Sequence, residues 1–328
     1  MTELSVCIVS WNVRELLLAC LDSVRRELAG LEGEIVVVDN ASGDGSADAV
    51  RLDFPEAGLI ANPENVGFAR ACNQAWKRTR GRYVLLLNPD AELGSGSAAE
   101  MISFLDRQSR PGAGGCRQLG PDGALQPSVR AFPTLATGWE QFTVLGRLGF
   151  LRGERRRYLA QDFDYARAAS IDQPMGSALF LSRRAVEEVG LFDEGYFMYF
   201  EEVDLCWRLA RAGYSIHYNP LATVVHHGGA SASQAGPQTR AWLLTGYLRF
   251  MRKRYGNERV DRYLSWFRPL ARARLGWDLC LGTWGSRFRL GTAGASRARR
   301  ARMKLAAKRE FRDRFLEKVF ERDRLNQP

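Results

Sequence analysis

Over the first ninety residues, short continuous apolar runs alternate with segments whose apolar positions recur at helical spacing. That alternation predicts parallel βα units, because a strand covered on both faces reads as a run and its crossover helix as a stripe. Leu4–Ser10 (LSVCIVS) is the first expected strand. Asn12, with Glu15 three positions on, has the form of a helix N-cap, and Leu17, Leu21, Val24 and Leu28 then follow at helical spacing. A second strand, residues 34–38, stops at Asp39-Asn40. A Gly/Ser/Asp loop then leads to a short helix near Ser46–Asp53, a weaker strand at Gly58–Ala61 and an Asn/Pro/Gly turn at residues 62–67. A helix over 69–79 and a strand at Tyr83–Leu87 complete the series, and that strand ends at Asn88-Pro89-Asp90. Strands joined by helical crossovers gather their C-terminal ends on one rim, where open α/β sheets bind ligands. Ser10, Asp39 and Asp90 fall on that rim.

Between residues 112 and 169 the periodicity weakens into Gly/Pro-punctuated segments, with a hairpin expected around Pro121-Asp122-Gly123 and a helix over 137–148. Ala178–Ser182 restores a strand, and a short helix is expected over 184–189. The aromatic run Phe197-Met198-Tyr199-Phe200 precedes a helix from about 201 to 212, and a last strand near 216–225 ends in His226-His227. From Gly236 the pattern becomes amphipathic and basic. Leu244, Tyr247, Leu248, Met251 and Tyr255 form a stripe among Arg249, Arg252, Lys253 and Arg254. A Gly/Ala/Ser stretch at 291–296 precedes a second basic helix, with Phe311, Phe315, Val319 and Phe320 as its stripe.

Composition adds a division. The 328 residues, 45% of them hydrophobic, describe a globular chain and exclude disordered and collagen-like classes. The formal net charge of +10 is unevenly placed: residues 1–235 hold 23 Lys+Arg and 29 Asp+Glu, a net of −6, while residues 236–328 hold 24 and 8, a net of +16. Two domains are therefore expected, residues 1–235 catalytic and 236–328 a basic helical extension. The six cysteines are scattered without a CxxC, against a disulfide framework or zinc knuckle and consistent with reduced, buried thiols. The N-terminus lacks a basic n-region and cleavage site, and no window reaches about 18 uncharged apolar residues, so neither export nor a membrane span is expected.

Asp39 and Asp90, at strand ends, admit two readings. Either can form a turn, or together they can hold a base or ribose and a divalent cation against a diphosphate. In Glu201-Glu202-Val203-Asp204-Leu205-Cys206-Trp207-Arg208, Glu202 shares a helix face with Leu205, Cys206 and Leu209 and is expected to point inward, whereas Asp204 points elsewhere, with Arg208 four residues on as an ion-pair partner. Glu202 is either a general base or charge for a helix N-terminus. His226 or His227, but not both, can join Asp90 in a metal site, since neighbours on a strand face opposite ways.

Several of these segments together resemble family 2 glycosyltransferases. They are Ile8-Val9-Ser10-Trp11-Asn12, Val37-Val38-Asp39-Asn40 with Ala41-Ser42-Gly43-Asp44-Gly45-Ser46, Asn65-Val66-Gly67-Phe68-Ala69 with Asn73, Leu86-Leu87-Asn88-Pro89-Asp90-Ala91, Gly176-Ser177-Ala178, the run from Gly190 to Tyr199, the run from Glu201 to Arg208 and His226 followed by Gly228-Gly229. The similarity spans residues 4–231 and is greatest to the rhamnosyltransferase-like branch. It implies an α/β GT-A (Rossmann-like) nucleotide-diphospho-sugar transferase domain, here with the basic α-helical C-terminal extension. It further implies that Asp39 recognises the base or ribose, with Ser10, Asn12, Asn65, Asn73 and Asn88 in the same donor pocket. Asp90 and His226 would hold Mg2+ or Mn2+, and Glu202 would be the catalytic base, with Asp204 the second candidate carboxylate. The implied reaction is inverting transfer of a sugar, such as rhamnose, from a deoxythymidine-diphosphate or UDP donor. The acceptor would be a hydroxyl of a glycan or polyprenyl-linked molecule in cell-envelope polysaccharide synthesis. Two departures stand out: Asn88 replaces the first motif carboxylate, and Glu202 stands where the shorter Asp is usual.

Two other classes compete. A nucleotidyltransferase also uses strand-end carboxylates and a metal, but it carries a Gly-rich basic loop after the first strand, and residues 10–15 contain no glycine. A nucleic-acid-binding protein suits the basic tail, yet the first 235 residues are acidic and no binding module is visible, so no nucleic-acid partner is expected. The tail, with Trp242, Trp266, Trp277 and Trp284 among its arginines, fits either an anionic membrane surface, placing the protein in the cytoplasm on the inner face of the cell membrane, or packing on protein.

Overall fold

The N-terminal apolar runs form a parallel layer: β1 (Leu4–Ser10), β2 (Gly33–Asp39), β3 (Gly58–Ala61) and β4 (Tyr83–Leu87), joined by α1 (Arg14–Leu28), α2 (Ser46–Asp53) and α3 (Phe68–Trp76). Every residue of β1 and β4 is buried, which is why these strands read as uninterrupted apolar runs. The computed structural model describes residues 2–228 and 238–288, together with Val319. The chain continues through β5 (Ala91–Leu93), α4 (Ser97–Asp106), β6 (Pro111–Leu119), β7 (Leu125–Gln126) and β8 (Val129–Arg130). After three further helices come β9 (Ala169–Ser170), β10 (Gln173–Pro174), β11 (Ala178–Ser182), α8 (Arg183–Val189), α9 (Glu201–Arg211) and β12 (Ser215–His226).

One mixed sheet has the order β3-β2-β1-β4-β11-β6-β12-β5. Strands β1 to β4 are parallel, β11 runs antiparallel to both β4 and β6, and β12 is parallel to β6 and antiparallel to β5. Leu17, Leu21 and Val24 of α1 join Ile8, Val37, Leu85, Met101, Leu105 and Phe180 in one core. Each such side chain contributes about 1.5–3 kcal/mol when fully buried.

The chain divides into two compact units, one of Met1–Phe132 with Leu159–Gln234, the other of Pro133–Tyr158 with Ala235–Pro328. Packing thus draws the division differently from composition, since Pro133–Tyr158 lies within the stretch that charge assigns to the first domain. In the second unit, α5 (Leu135–Phe142), α6 (Val144–Leu148) and α7 (Arg152–Tyr158) accompany α10 (Gln238–Tyr255) and α11 (Asn257–Phe288). The single helix expected over 137–148 is broken at Thr143, which is extended (φ −112°, ψ 166°) and whose hydroxyl accepts from Leu145 N to start α6. Trp139, Phe142, Tyr247, Tyr263 and Phe267 form the aromatic centre, with Trp139 and Tyr263 edge-on at 5.1 Å.

The α10 stripe of Leu244, Tyr247, Leu248 and Met251 is buried in this unit. Arg252, expected on the polar face, is buried too, because its guanidinium reaches Asp261 at 2.8 Å. Of the second expected basic helix only Val319 is described; Phe311, Phe315 and Phe320 lie outside the described residues, as does the side chain of Trp284.

Candidate active site

The site begins where β1 and β2 end. Their parallel register makes Ser10 and Asp39 Cα partners, and Asn40 N donates to Ser10 O at 2.8 Å. Asp39 Oδ2 accepts from Ser42 N at 3.0 Å, while Asp39 Oδ1 and Ser10 Oγ are sealed from solvent without a hydrogen-bond partner. A buried polar atom left unpaired costs about 1–3 kcal/mol, so a ligand donating to this carboxylate recovers free energy on binding. Asn12 braces the neighbouring loop: its N donates to Ser42 Oγ at 2.9 Å and its Oδ1 accepts from Gly43 N at 2.7 Å. It does not cap α1, whose N-cap is Val13, because its backbone is left-handed at φ 53°.

Beside Asp39 lies a cluster of amides. Asn40 Nδ2 donates to Asn65 Oδ1 at 2.9 Å, and Asn65 Oδ1 also accepts from Gly67 N at 3.0 Å, so Asn65 shapes the turn before α3. Asn73 is buried and bonds inward. It donates to Phe192 O at 2.9 Å and to Glu194 Oε1 at 3.0 Å, and it accepts from Phe192 N at 3.1 Å. Its side chain thus ties the 192–194 segment to α3. A second tie follows at Phe68 N, which donates to Phe197 O at 2.7 Å.

These ties lead the chain into α9 through two left-handed residues, Tyr199 (φ 70°) and Phe200 (φ 73°), a conformation that costs about 1–3 kcal/mol per non-glycine residue. The reversal buries Glu201 and half-buries Glu202, and the Oε2 atom of each is sealed without a partner. Burial pushes the Glu201 carboxyl well above the ordinary range, and the neighbouring Glu202 carboxylate adds to it. Burial also raises Glu202, against the opposing pull of backbone N–H groups at the start of the helix. Sequence reading did not single out Glu201, whose buried carboxyl is raised further by its neighbour.

Asp204, expected off the Glu202 face with Arg208 as its ion-pair partner, makes that pair with its side chain fully buried. Arg208 Nε meets it at 2.9 Å, and the remaining guanidinium nitrogens donate to the carbonyls of Val189, Gly190 and Leu191. Asp204 anchors α9 to the segment after α8.

The antiparallel pairing of β12 with β5 sets His226 opposite Ala91. His226 Nε2 lies 3.4 Å from Asp90 Oδ1, whereas His227 turns to Glu92 at 3.0 Å, as strand alternation requires. Gln126 fixes the ring. Its Nε2 donates to His226 O at 2.8 Å, so its Oε1 faces His226 Nδ1, at 3.3 Å, and that nitrogen carries the proton. Nε2 faces the Asp90 carboxylate and makes no hydrogen bond. An imidazole nitrogen and a carboxylate oxygen placed face to face are ligand types suited to a shared divalent cation. Asn88 N donates to Ser177 O at 2.9 Å, and Gln118 Nε2 donates to Ser177 Oγ. A Cβ added at Gly176, next to Ser177, would lie 3.5 Å from Glu202 Cγ, so Glu202 passes close to this segment. This run of contacts brings the Asp90 turn and Glu202 to one place.

Residues 5–163 match the family described as Glycosyl transferase family 2. A relative from Mycobacterium tuberculosis (strain ATCC 25618 / H37Rv), N-acetylglucosaminyl-diphospho-decaprenol L-rhamnosyltransferase, is 32% identical over 215 residues, covering 61% of this chain and 68% of its own. The chain belongs to glycosyltransferase family 2. Rhamnosyltransferase WbbL of Escherichia coli (strain K12) is 28% identical over 222 residues, covering 66% of this chain and 81% of its own. Among solved structures, mannosyltransferase PcManGT from Pyrobaculum calidifontis, in complex with GDP-Man and Mn2+, superposes with a TM-score of 0.54 at 18% identity over 95% of this chain and 87% of that one. GalNAc-T7 with UDP, GalNAc and Mn2+ gives 0.54 at 16% identity, covering 98% and 58%. The fold of this family 2 enzyme is therefore GT-A, and its activity is glycosyl transfer.

Sequence reading alone passed over Gln126 and Gln118, and met Ser177 only as part of the Gly176-Ser177-Ala178 segment. Gln126 sits in a two-residue strand after the Pro121-Asp122-Gly123 turn, and its partner His226 is 100 residues away. The hairpin was visible in the turn residues; its target was not.

Proposed function

We propose that this glycosyltransferase moves a sugar, with rhamnose the first candidate, from a deoxythymidine-diphosphate or UDP donor to a hydroxyl of a glycan or polyprenyl-diphosphate-linked acceptor in cell-envelope polysaccharide synthesis. Two relatives named as rhamnosyltransferases, one acting on a decaprenol-linked sugar, support the choice of donor and acceptor. The carrying observation is the junction of a sealed, unpartnered carboxylate oxygen at Asp39, the Asp90–His226 pair and the raised Glu201 and Glu202 carboxyls on one rim.

Asp39 Oδ1 and Ser10 Oγ accept and donate hydrogen bonds to the donor's base or ribose, with the Asn12, Ser42 and Gly43 loop as a wall. Asp90 and His226 would hold Mg2+ or Mn2+, whose positive charge stabilises the departing diphosphate. Among the described residues no third His, Cys, Asp or Glu joins them, which suits a cation completed by phosphate oxygens and water. Glu202, deprotonated, takes the acceptor hydroxyl proton as its oxygen attacks the anomeric carbon, in one displacement that inverts configuration. Its extra methylene relative to Asp is accommodated beside Gly176, where there is no side chain.

Among the described residues no helix is long and apolar enough to cross a membrane. The proposed place of action is the cytoplasmic face of the membrane, with the basic unit against anionic lipid. Glu202→Gln is expected to lower transfer by at least about 100-fold while donor binding by calorimetry stays within a factor of two or three of the parent. Retained turnover would remove the base assignment. Failure of every nucleotide-diphosphate sugar to shift the melting temperature, with or without Mn2+, would remove the donor reading.

A further inference from the structure

We propose that the corner between α6 and α7, residues 148–151, is a membrane-inserting tip that seats the second unit in an anionic lipid leaflet. The inference deepens the lipid-linked acceptor reading and rests on it. Neither α6 nor α7 contains a buried residue, which is unusual for two successive helices in a folded unit. The left-handed Gly149 (φ 81°) ends α6 and turns the chain sharply, leaving Leu148 50% and Phe150 75% exposed on the turn. Large apolar side chains at a tight turn give up hydrophobic free energy unless something apolar receives them.

The surroundings select the receiver. Residues 147–157 carry Arg147, Arg152, Arg155, Arg156 and Arg157 against Glu154 alone. Glu154 is engaged by Arg157 at 2.7 Å and by the hydroxyls of Thr134 and Thr137, and Arg155 lies 3.7 Å from Glu140, yet five arginines against one acid keep this segment strongly positive. The α11 helix passes the start of α6, where Arg274 donates to Thr143 O at 2.9 Å; three residues on, Trp277 is 47% exposed, and earlier in the same helix Trp266 is 72% exposed. Exposed apolar residues ringed by arginine, with tryptophans on the same unit, match a surface that is negative outside and hydrocarbon within. A second copy docked through this unit would meet its own positive charge. An acidic protein patch would satisfy the arginines but leave Phe150 and Leu148 in water.

The experiment uses the full chain with vesicles of phosphatidylcholine, with and without phosphatidylglycerol, in a flotation assay at low and high salt. Wild type is expected to bind the phosphatidylglycerol vesicles at low salt and to be released by high salt. Leu148→Ser with Phe150→Ser should weaken that binding about tenfold or more, since two buried side chains are withdrawn from the acyl boundary. Arg152→Glu with Arg156→Glu should abolish it, and both variants should keep the far-UV spectrum and nucleotide-sugar melting shift of wild type. Wild-type indifference to phosphatidylglycerol, or binding by the Ser variant equal to wild type, would overturn the proposal. So would self-association in sedimentation velocity that the Ser variant abolishes. Because nucleotide-sugar binding is read in parallel, loss of the membrane contact alone leaves the transferase reading standing, and loss of nucleotide binding strikes that reading instead.

Discussion

Glu201 and Glu202 open α9, and burial raises both carboxyls above the ordinary value. A carboxyl raised in the folded state binds its proton more tightly there than in the unfolded chain. Between the ordinary value of 4.5 and the raised one, the folded protein holds more protons, and stability falls as pH rises. Replacing Glu201 by Gln removes one partner, so two outcomes are expected. Stability in urea should decline less between about pH 5 and pH 8 than in wild type, each unit of relieved shift being worth about 1.4 kcal/mol. The acid limb of kcat/KM should stay in place, because burial raises Glu202 and Glu201 is still neutral when Glu202 ionises. A limb that moves to lower pH would mean that Glu201 carries charge while Glu202 titrates. The EE pair was visible in the sequence, but only the left-handed backbone at Tyr199 and Phe200 shows that both members turn inward.

At the scale of elements, the site depends on how the 192–200 segment is tied to α3. Gly67 is the tightest point: at φ 87° an added Cβ would sit 2.7 Å from Phe197 O. Gly67→Ala is expected to cost roughly 1–3 kcal/mol in chemical denaturation and to lower kcat by displacing the lead-in to Glu202. A stable, fully active variant would show that the clamp is dispensable. The strands and helices that frame this clamp were legible where apolar periodicity is strong, and β1, β3, β4 and β11 have the expected bounds. No element was expected at α4, and β6 read as loop because its PGAGGCRQL sequence lacks β-branched and aromatic residues. The reason lies in the neighbours. A Cβ on Gly114 would meet Met101 Cε at 2.7 Å, and one on Gly115 would meet Pro174 Cβ at 2.4 Å, so this central strand needs glycine for close approach. Single-strand propensity cannot register a constraint imposed by residues 13 to 59 positions away.

For the whole molecule, charge suggested a cut at residue 235, with an acidic catalytic part of net −6 and a basic part of net +16. Packing gives the basic part a segment from the acidic one. Tyr247 Oη donates to Thr134 O at 3.0 Å, Arg254 to Pro133 O at 2.8 Å and Arg274 to Thr143 O at 2.9 Å, while Trp139 and Phe142 stack on Tyr263, Tyr247 and Phe267. A chain ending at Gln234 would keep Trp139 and Phe142 but lose every aromatic partner they have in this unit. Each indole or phenyl so uncovered forfeits about 1.5–3 kcal/mol of burial, and the pair would form a sticky apolar patch. The 1–234 fragment is therefore expected to bind a hydrophobic dye and aggregate, although it contains every proposed site residue. Adding back residues 235–288 should restore a monodisperse protein. A soluble, dye-silent 1–234 fragment with normal donor binding would show that composition, and not the Pro133–Tyr158 contacts, marks the boundary of the folding unit.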